Sequence, residues 1–545
     1  MKSTVRFDTQ NVGALPVITH YMDRLQLAAT LDELVPWEGE VPLGTLVEIL
    51  IANRLLQPKA MFRIGDWAKS AGLTDYYGLT ADQLNDDRLG RALERLADNA
   101  DVAQAGLVMR AVKTFRLRVE QIHYDITNVE LYGSYALALA EGETPPVPMP
   151  AYGHTKSGRK NVKQIHAGLN VTNDGGVPVG HLPFDGNLAE QSTHLANLRL
   201  LDRNLPKGKL VYIADTKLDT PENLMAVAAR EGRFLCGGAF LPCVQEQYLK
   251  LRDRMRPVGY HPKSQEHLPP EQRDQYKAME VTETIHGEID GRKMRLKYRL
   301  IFVWSEVMAR QHAATRERHV AKIREDFELV ERNLGKYKLT NREAIVSRLE
   351  KAKARYTEGS LFEYELRGHR RGQFQLRWNL NSEALERTQT LEGVYTLKTN
   401  LSKGSHGIVR VLGMYKQQSC VERRFHHLKG PLAVAPMFLK NPKRMAGLLC
   451  ILVWALMVLA LMEREVRHSL KGKPLYGLYP ENRPSPSPTG PSLLQCFSTL
   501  CIVIIKEHKR TSRRLAQPTT IQRTLLQLLH IPPDALRTFK RRCGT

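Results

Sequence analysis

Residues Ala446 to Met462 form a run of 17 positions without a single charge, bounded by Lys443-Arg444 and Glu463-Arg464. A helix that is apolar all round has no face to offer water, so it must be enclosed by protein or by lipid. Seventeen residues lie at the lower edge of what spans a bilayer, and no other segment of the chain has this character. A buried core helix packed behind a sheet is therefore expected, and a membrane span is the alternative. The N-terminus, MKSTVRFDTQ, lacks the apolar stretch of a signal peptide. At 545 residues the chain exceeds what one core supports, which points to three or four domains.

The segment just before the apolar run is its opposite in character. From Met414 to Lys429 it reads as a basic helix with one acid, Glu422, among Lys416, Arg423, Arg424, His426, His427 and Lys429. Tyr415, Glu422 and Lys429 are spaced by seven, which sets them on one face of a continuous helix. A carboxylate among cations suits a site that holds a metal ion beside a phosphate backbone. A solvated amphipathic helix is the plainer alternative. The whole chain has 80 Lys and Arg against 57 Asp and Glu, a formal charge of +23, which favours a polyanionic partner and nucleic acid first. Seven scattered cysteines with no C-x-x-C pair argue against a zinc module or a disulfide framework and suit a reducing cytosol. His123, His154 and His166 fit no common metal-ligand spacing and read as ordinary polar residues.

Residues 1–115 carry helix-period apolar positions, in Ile18 to Leu34, Leu43 to Leu55, Phe62 to Ser70 and Asp82 to Ala97. Short helices joined by Gly-containing turns are compatible with helix-turn-helix DNA binding, or with a packing or dimerisation domain. The pattern then changes. VEQIHYDITNVELYG reads as a strand with Asp125 near its end. KQIHAGLNV and Val177 to Phe184 form a hairpin around Asn173-Asp174-Gly175-Gly176. Gln191 to Leu201 is helical. Lys209 to Ile213 is a short apolar strand running into Asp215. Thr220-Pro221 caps and opens a helix, and Arg233 to Phe240 is a further strand. Thr282 to Ile289 and Lys297 to Val303 read as strands around a Gly turn. The seam Val320, Ile323, Phe327, Val330, Leu334 and a second helix, Thr340 to Tyr356, read as a helical hairpin. Phe374 to Leu380 and Val394 to Thr399 are strands expected to return to the core. Asn482 to Ser492 (NRPSPSPTGPS) is a linker by composition, followed by an apolar stretch from Cys496, a basic run Lys506 to Arg514, and a short helix. Strands followed by alternating helices and strands give an α/β class, with several architectures open.

Tyr415, Gln418, Glu422 and Lys429 have the spacing of the Y-(2)-R-(3)-E-(6)-K signature. The chain resembles bacterial insertion-sequence DDE transposases, in the branch with an N-terminal accessory domain and a long C-terminal tail. Gln418 stands where the signature has arginine, and it can donate a hydrogen bond but brings no charge. The resemblance implies a ribonuclease-H-like mixed sheet flanked by helices. The expected parts are an end-binding domain at 1–115, the core at 116–240 and 391–480, an insertion at 241–390, and a linker with a basic tail at 481–545. It implies that Asp125, Asp215 and Glu422, separated by 90 and 207 residues, hold two Mg²⁺ (or Mn²⁺) ions, with Asp125 bridging both. The D-I-T context of Asp125 and the ADTKLDTPENL context of Asp215 are family-like, and favour them over Glu130 and Asp219. Water attacks at the element's end, and the freed 3′-hydroxyl attacks target DNA. Tyr415, Gln418 and Lys429 would contact DNA. The partners would be double-stranded terminal inverted repeats and target DNA, with the protein a homodimer in the bacterial cytoplasm, nucleoid-associated when bound and with no membrane. A catalytically inactive, transposase-derived DNA-binding protein is the alternative.

Overall fold

The computed structural model describes residues 5–131, 147–153, 158–159, 161–206, 210–262, 265–289, 291–368, 373–432, 439, 441–507 and 510–532. His154, Lys209, residues 132–135, His508, Lys509 and Cys543 lie outside them. The chain divides into two compact units, one of residues 1–234 with 417–545 and one of residues 235–416.

The first unit begins with strand β1 (Val5–Asn11) and seven helices: α1 (Leu15–Arg24), α2 (Leu27–Leu34), α3 (Leu43–Leu56), α4 (Ile64–Ser70), α5 (Leu73–Tyr77), α6 (Asp86–Asp98) and α7 (Ala100–Phe115). The sheet region follows as β2 (Gln121–Leu131), β3 (Lys163–Thr172), β4 (Pro178–Asp185), α8 (Thr193–Asn204), β5 (Val211–Ala214), α9 (Pro221–Ala229) and β6 (Arg233–Gly238), within which the chain passes to the second unit. The second unit holds α10 (Pro242–Leu251), β7 (Arg256–Val258), β8 (Tyr276–Ile289), β9 (Arg292–Ser305), α11 (Glu306–Arg332), α12 (Arg342–Ala354), β10 (Phe362–Arg367), β11 (Gln375–Leu380), α13 (Ser382–Leu391), β12 (Val394–Thr399) and α14 (Ile408–Lys416). The chain then completes the first unit with α15 (Ser419–Lys429), α16 (Pro442–Leu470), α17 (Gly490–Cys496), β13 (Cys501–Glu507), β14 (Arg510–Leu515) and α18 (Thr520–Leu528).

The architecture is mixed α/β with a mixed sheet. In the first unit the strand order is β4-β3-β2-β5. The β2–β3 and β3–β4 pairs are antiparallel and β2–β5 is parallel. The β3–β4 turn needs Gly175 and Gly176, both at positive φ (86° and 63°), where a side chain would be strained. Thr220 caps α9 by accepting from the Asn223 N–H, with Pro221 at the first helical position, as the sequence predicts. In the second unit β6, β12, β9, β8 and β7 form an antiparallel series. Ile323, Phe327 and Val330 of α11 bury against Ile345, Leu349 and Ala352 of α12, as their spacing predicts.

Four expectations give way. Asp125 does not stand near a strand end, because β2 runs six residues further, paired with β3 as far as Leu131↔Lys163. Phe374–Leu380 does not return to the larger sheet. It pairs with β10 in a separate two-stranded sheet whose apolar side joins the α11–α12 core. The basic helix is two helices. The chain turns at Gln417–Gln418, where Cys420 and Val421 donate to the carbonyls of Gln417 and Gln418 (2.9 and 3.1 Å), so Tyr415 lies in α14 and Glu422 and Lys429 in α15. The seven-residue spacing therefore does not set Tyr415 on the face of Glu422. Asn482–Ser492 is held rather than free: Ser485 exchanges two 2.8 Å backbone hydrogen bonds with Leu475, and Gly490 N–H donates to Glu463 (3.0 Å). Its last three residues also open α17, with Pro491 in the first turn. β1 was not anticipated. It pairs antiparallel with β13, from Val5↔Glu507 to Asn11↔Cys501, a partner too distant in sequence to leave a local signal.

The apolar run forms the core of α16. That helix is the single one among the described residues long and apolar enough to cross a membrane, and its apolar window is wholly buried inside the protein. It packs on α1, α3, α6, α7, α15, α17, α18 and β4, elements from both ends of the chain. Each large aliphatic side chain enclosed in this way stabilises by about 1.5–3 kcal/mol. The closest approach is at Gly447, where a Cβ would stand 2.0 Å from the carbonyl oxygen of Leu93 in α6. At its far end, Glu463 is fully buried and pairs with Arg424 of α15 (3.2 Å) and Arg467 (2.6 Å). Arg424, also buried, donates further to the carbonyls of Gly176 (2.8 Å) and Gly175 (2.6 Å). Burial alone would raise the Glu463 carboxyl's pKa, but the Arg424 and Arg467 guanidiniums outweigh it and hold it below the usual value.

Two outcomes are expected from this core. Gly447→Ala should lower stability by about 1–3 kcal/mol, since the α6–α16 contact has no room for a methyl group. An unchanged urea midpoint would show that the helices can separate freely. Arg424→Met leaves a buried carboxylate short of a partner and should cost roughly 3–5 kcal/mol at neutral pH. Because the folded pKa of Glu463 is depressed, the pair's contribution is present at neutral pH and is lost as pH falls through the folded value. The gap in urea midpoint between wild type and Arg424→Met should therefore narrow in acid. A gap that widens there would contradict this assignment.

Candidate active site

The β2–β5 ladder pairs Gln121, Ile122 and His123 with Val211, Tyr212 and Ile213. The offset is 90 residues, the separation of Asp125 from Asp215. Asp125 and Asp215 each lie two positions past the last paired residues, His123 and Ile213, with Asp125 still in β2 and Asp215 just beyond the end of β5. β5 ends at Ala214 while β2 continues, so Asp125 sits where its parallel neighbour leaves it. The carboxyl ends of parallel strands are where α/β sheets open to ligands. Both acids are half-buried. Each also has a local role: Asp125 accepts from the Ile126 N–H (2.7 Å), and Asp215 caps a short turn by accepting from the Lys217 N–H (2.9 Å).

Tyr124 points to the opposite face and donates to Thr193 Oγ1 at the start of α8 (3.1 Å). Burial raises its hydroxyl pKa, and the charges of Asp125, Glu190 and Asp215 raise it further. Glu190 thus belongs to the same electrostatic neighbourhood. Sequence reading passed it over because it lies in a polar turn, GNLAEQST, without an apolar strand leading into it.

Gln418 fixes α15 to this region. Its Nε2 donates to the Tyr124 carbonyl (2.8 Å), and its Oε1 pairs with Nδ1 of buried His123 (3.0 Å). Burial lowers the His123 pKa to about 4, so the ring is neutral near pH 7, and Nδ1 carries the proton it gives to Gln418. Both polar ends of the amide are thereby engaged with β2. No sequence signal linked His123 to a residue 295 positions away. Glu422 follows Gln418 by one helical turn, about 6 Å between Cβ atoms, on the adjoining face. It belongs to an exposed stripe with Ser419, Arg423, His426 and Lys429. Among the described residues its carboxylate makes no ion pair or hydrogen bond. Lys429 is exposed at the last position of α15, 11 residues or about 16 Å along the axis from Gln418. Tyr415 belongs to the other unit.

Hard carboxylate oxygens suit Mg²⁺ or Mn²⁺ by donor chemistry. Asp125 and Asp215 provide two such groups. Among the described residues no three His, Cys, Asp or Glu side chains are gathered closely enough to share one ion. His123, His166, His181 and His194 are buried in the sheet region with hydrogen-bonded or aromatic partners; the pKa values of His181 and His194, like that of His123, fall to about 4 through burial.

Residues 7–104, covering most of β1 and helices α1 to α6, match a family described as a domain of unknown function, DUF4277. No curated protein matches the chain.

Proposed function

We propose that this chain is a DDE-type transposase that binds terminal inverted repeats and performs metal-dependent DNA cleavage and strand transfer. The observation that carries the reading is the 90-residue offset of the β2–β5 ladder, equal to the spacing of Asp125 and Asp215 just past its last pair, with α15 clamped to the same stretch of β2 through Gln418. The order β4-β3-β2-β5, three antiparallel strands and then a parallel one, supports a ribonuclease-H-like core. The family matched at the N-terminus is known in transposase-like proteins. The charge of +23 supports a DNA partner.

In this reading Asp125, Asp215 and Glu422 hold two Mg²⁺ or Mn²⁺ ions. When bound, such a pair activates the attacking oxygen and stabilises the leaving one in an in-line phosphoryl displacement. The protein's part is to fix carboxylates on rigid elements. The sheet register sets two of them, and the Gln418–His123–Tyr124 clamp sets the helix that carries the third. Gln418 is then a positioning residue, with its amide turned into the fold. Lys429 and Tyr415 meet the phosphate backbone. Two ends cut in concert require two active sites, hence a homodimer on DNA in the cytoplasm.

The test is Mg²⁺-dependent nicking of a labelled terminal repeat beside a gel-shift on the same DNA. Asp125→Asn, Asp215→Asn and Glu422→Gln should each reduce cleavage by several orders of magnitude and spare binding, since the lost charge stabilisation is worth several kcal/mol. Glu130→Gln and Asp219→Asn should do much less. Full cleavage by folded Glu422→Gln, with loss in Glu190→Gln, would transfer the third role to Glu190. Unchanged cleavage by Asp125→Asn would end the reading.

A catalytically silent DNA-binding relative is the second reading, favoured by the exposed position of Glu422 apart from the aspartates. It requires that wild type bind the repeat and never nick it.

A further inference from the structure

Strands β8 and β9 are 14 residues each, much longer than their neighbours. β7 pairs with β8 only at Tyr276–Ala278, and β12 pairs with β9 only from Arg299 to Trp304. From Thr284↔Lys297 to Ile289↔Arg292 the two strands therefore pair only with each other, as a ribbon about 20 Å long at 3.3 Å per residue. A two-stranded ribbon is marginal in water without something packed on it.

The two faces of this ribbon differ. Ile285, Ile289, Met294 and Leu296 occupy one, with Leu296 buried. Thr284, His286, Glu288, Lys293, Arg295 and Lys297 occupy the other, in the cross-strand pairs Thr284↔Lys297, His286↔Arg295 and Glu288↔Lys293. The three cations stand on alternate positions of β9, about 6.6 Å apart, all exposed. Among the described residues none of the three forms an ion pair. One acid, Glu288, shares their face. Two strands about 4.8 Å apart with their side chains fit the major groove of B-DNA, about 12 Å wide, which admits a β-ribbon.

We propose that the Lys293–Arg295–Lys297 face of this ribbon is a duplex-DNA contact surface that enters the major groove. Lys293 and Lys297 neutralise phosphates, and Arg295, between them, reaches base edges as a bidentate donor. This rests on the reading of the chain as a protein that acts on DNA. It adds a DNA-binding surface made of residues other than the carboxylates.

The experiment is fluorescence anisotropy of the full chain with a labelled mixed-sequence DNA duplex, across a salt series. The Lys293→Ala/Arg295→Ala/Lys297→Ala protein should bind roughly tenfold or more weakly. The slope of log affinity against log salt should fall by about 2, near 0.9 for each phosphate that is no longer neutralised. Arg318→Ala/Lys322→Ala/Arg324→Ala removes the same charge from the exposed side of α11 and should leave the slope nearly unchanged. The Lys293→Arg/Lys297→Arg protein should bind like wild type, which separates missing charge from a damaged hairpin. Equal weakening in the two triple variants would reduce the effect to diffuse charge and overturn the proposal. So would unweakened binding by the ribbon variant, preference for an RNA duplex, or no duplex binding by wild type. Metal-dependent nicking by wild type together with an unaffected ribbon variant would sink the ribbon and leave the active site standing. Ribbon-dependent binding by a wild type that never nicks would do the reverse.

Discussion

The buried pair of Arg424 and Glu463 is the constraint on which the first unit depends. One guanidinium reaches α16 and both glycine carbonyls of the β3–β4 turn, and its carboxylate partner also receives the N–H that opens α17. Taking two charges out of water costs several kcal/mol for each ion, and attraction offsets that only when every remaining polar atom is satisfied. Here the backbone supplies those partners. The same turn is held from its other side, where Asp174 accepts from Arg464 (2.7 Å) and from the Arg118 N–H (3.2 Å). An apolar helix can slide or rotate among apolar neighbours at small cost. A buried ion pair at its end fixes its rotation and depth. Through α15, that fixes where Glu422 can stand.

Much of the sheet was legible because its signals are local. The Asn173–Gly176 turn, the Thr220-Pro221 cap and the α11–α12 seam each follow from a few neighbouring residues with one favoured geometry. The burial of α16 was legible for a different reason: an uncharged run leaves no alternative but enclosure. What stayed hidden depends on partners far apart in the chain. β1 is a short mixed stretch that becomes a strand only against Cys501–Glu507. The proposal of a ribonuclease-H-like core with a three-acid site rests on resemblance, and periodicity alone does not reach it.

The broken helix at Gln417–Gln418 shows how spacing can mislead. A seven-residue repeat implies a common face only if the helix is continuous, and a side chain that finds two strong partners on a strand can end it. Gln418 does so with β2, and neutral His123 completes the clamp. A guanidinium at this position would bring five donors and a fixed charge against a buried ring that is itself a donor. The glutamine is thus a local fit to a strand with histidine before Tyr124, and the two residues are best regarded as a matched pair.

The pairing of β1 with β13 ties residue 5 to residue 507. On a ribosome adding about 5–20 residues per second, the first strand emerges some 25 to 100 seconds before its partner. Throughout that interval the edge of β1 has no β13 to pair with, and α16, around which the early helices close, is itself missing for most of it. A chain cut short before α16 would therefore lack the helix on which α1, α3, α6 and α7 pack, and one cut short before β13 would leave β1 unpaired. Synthesis of this protein makes its far end the gatekeeper of its near end.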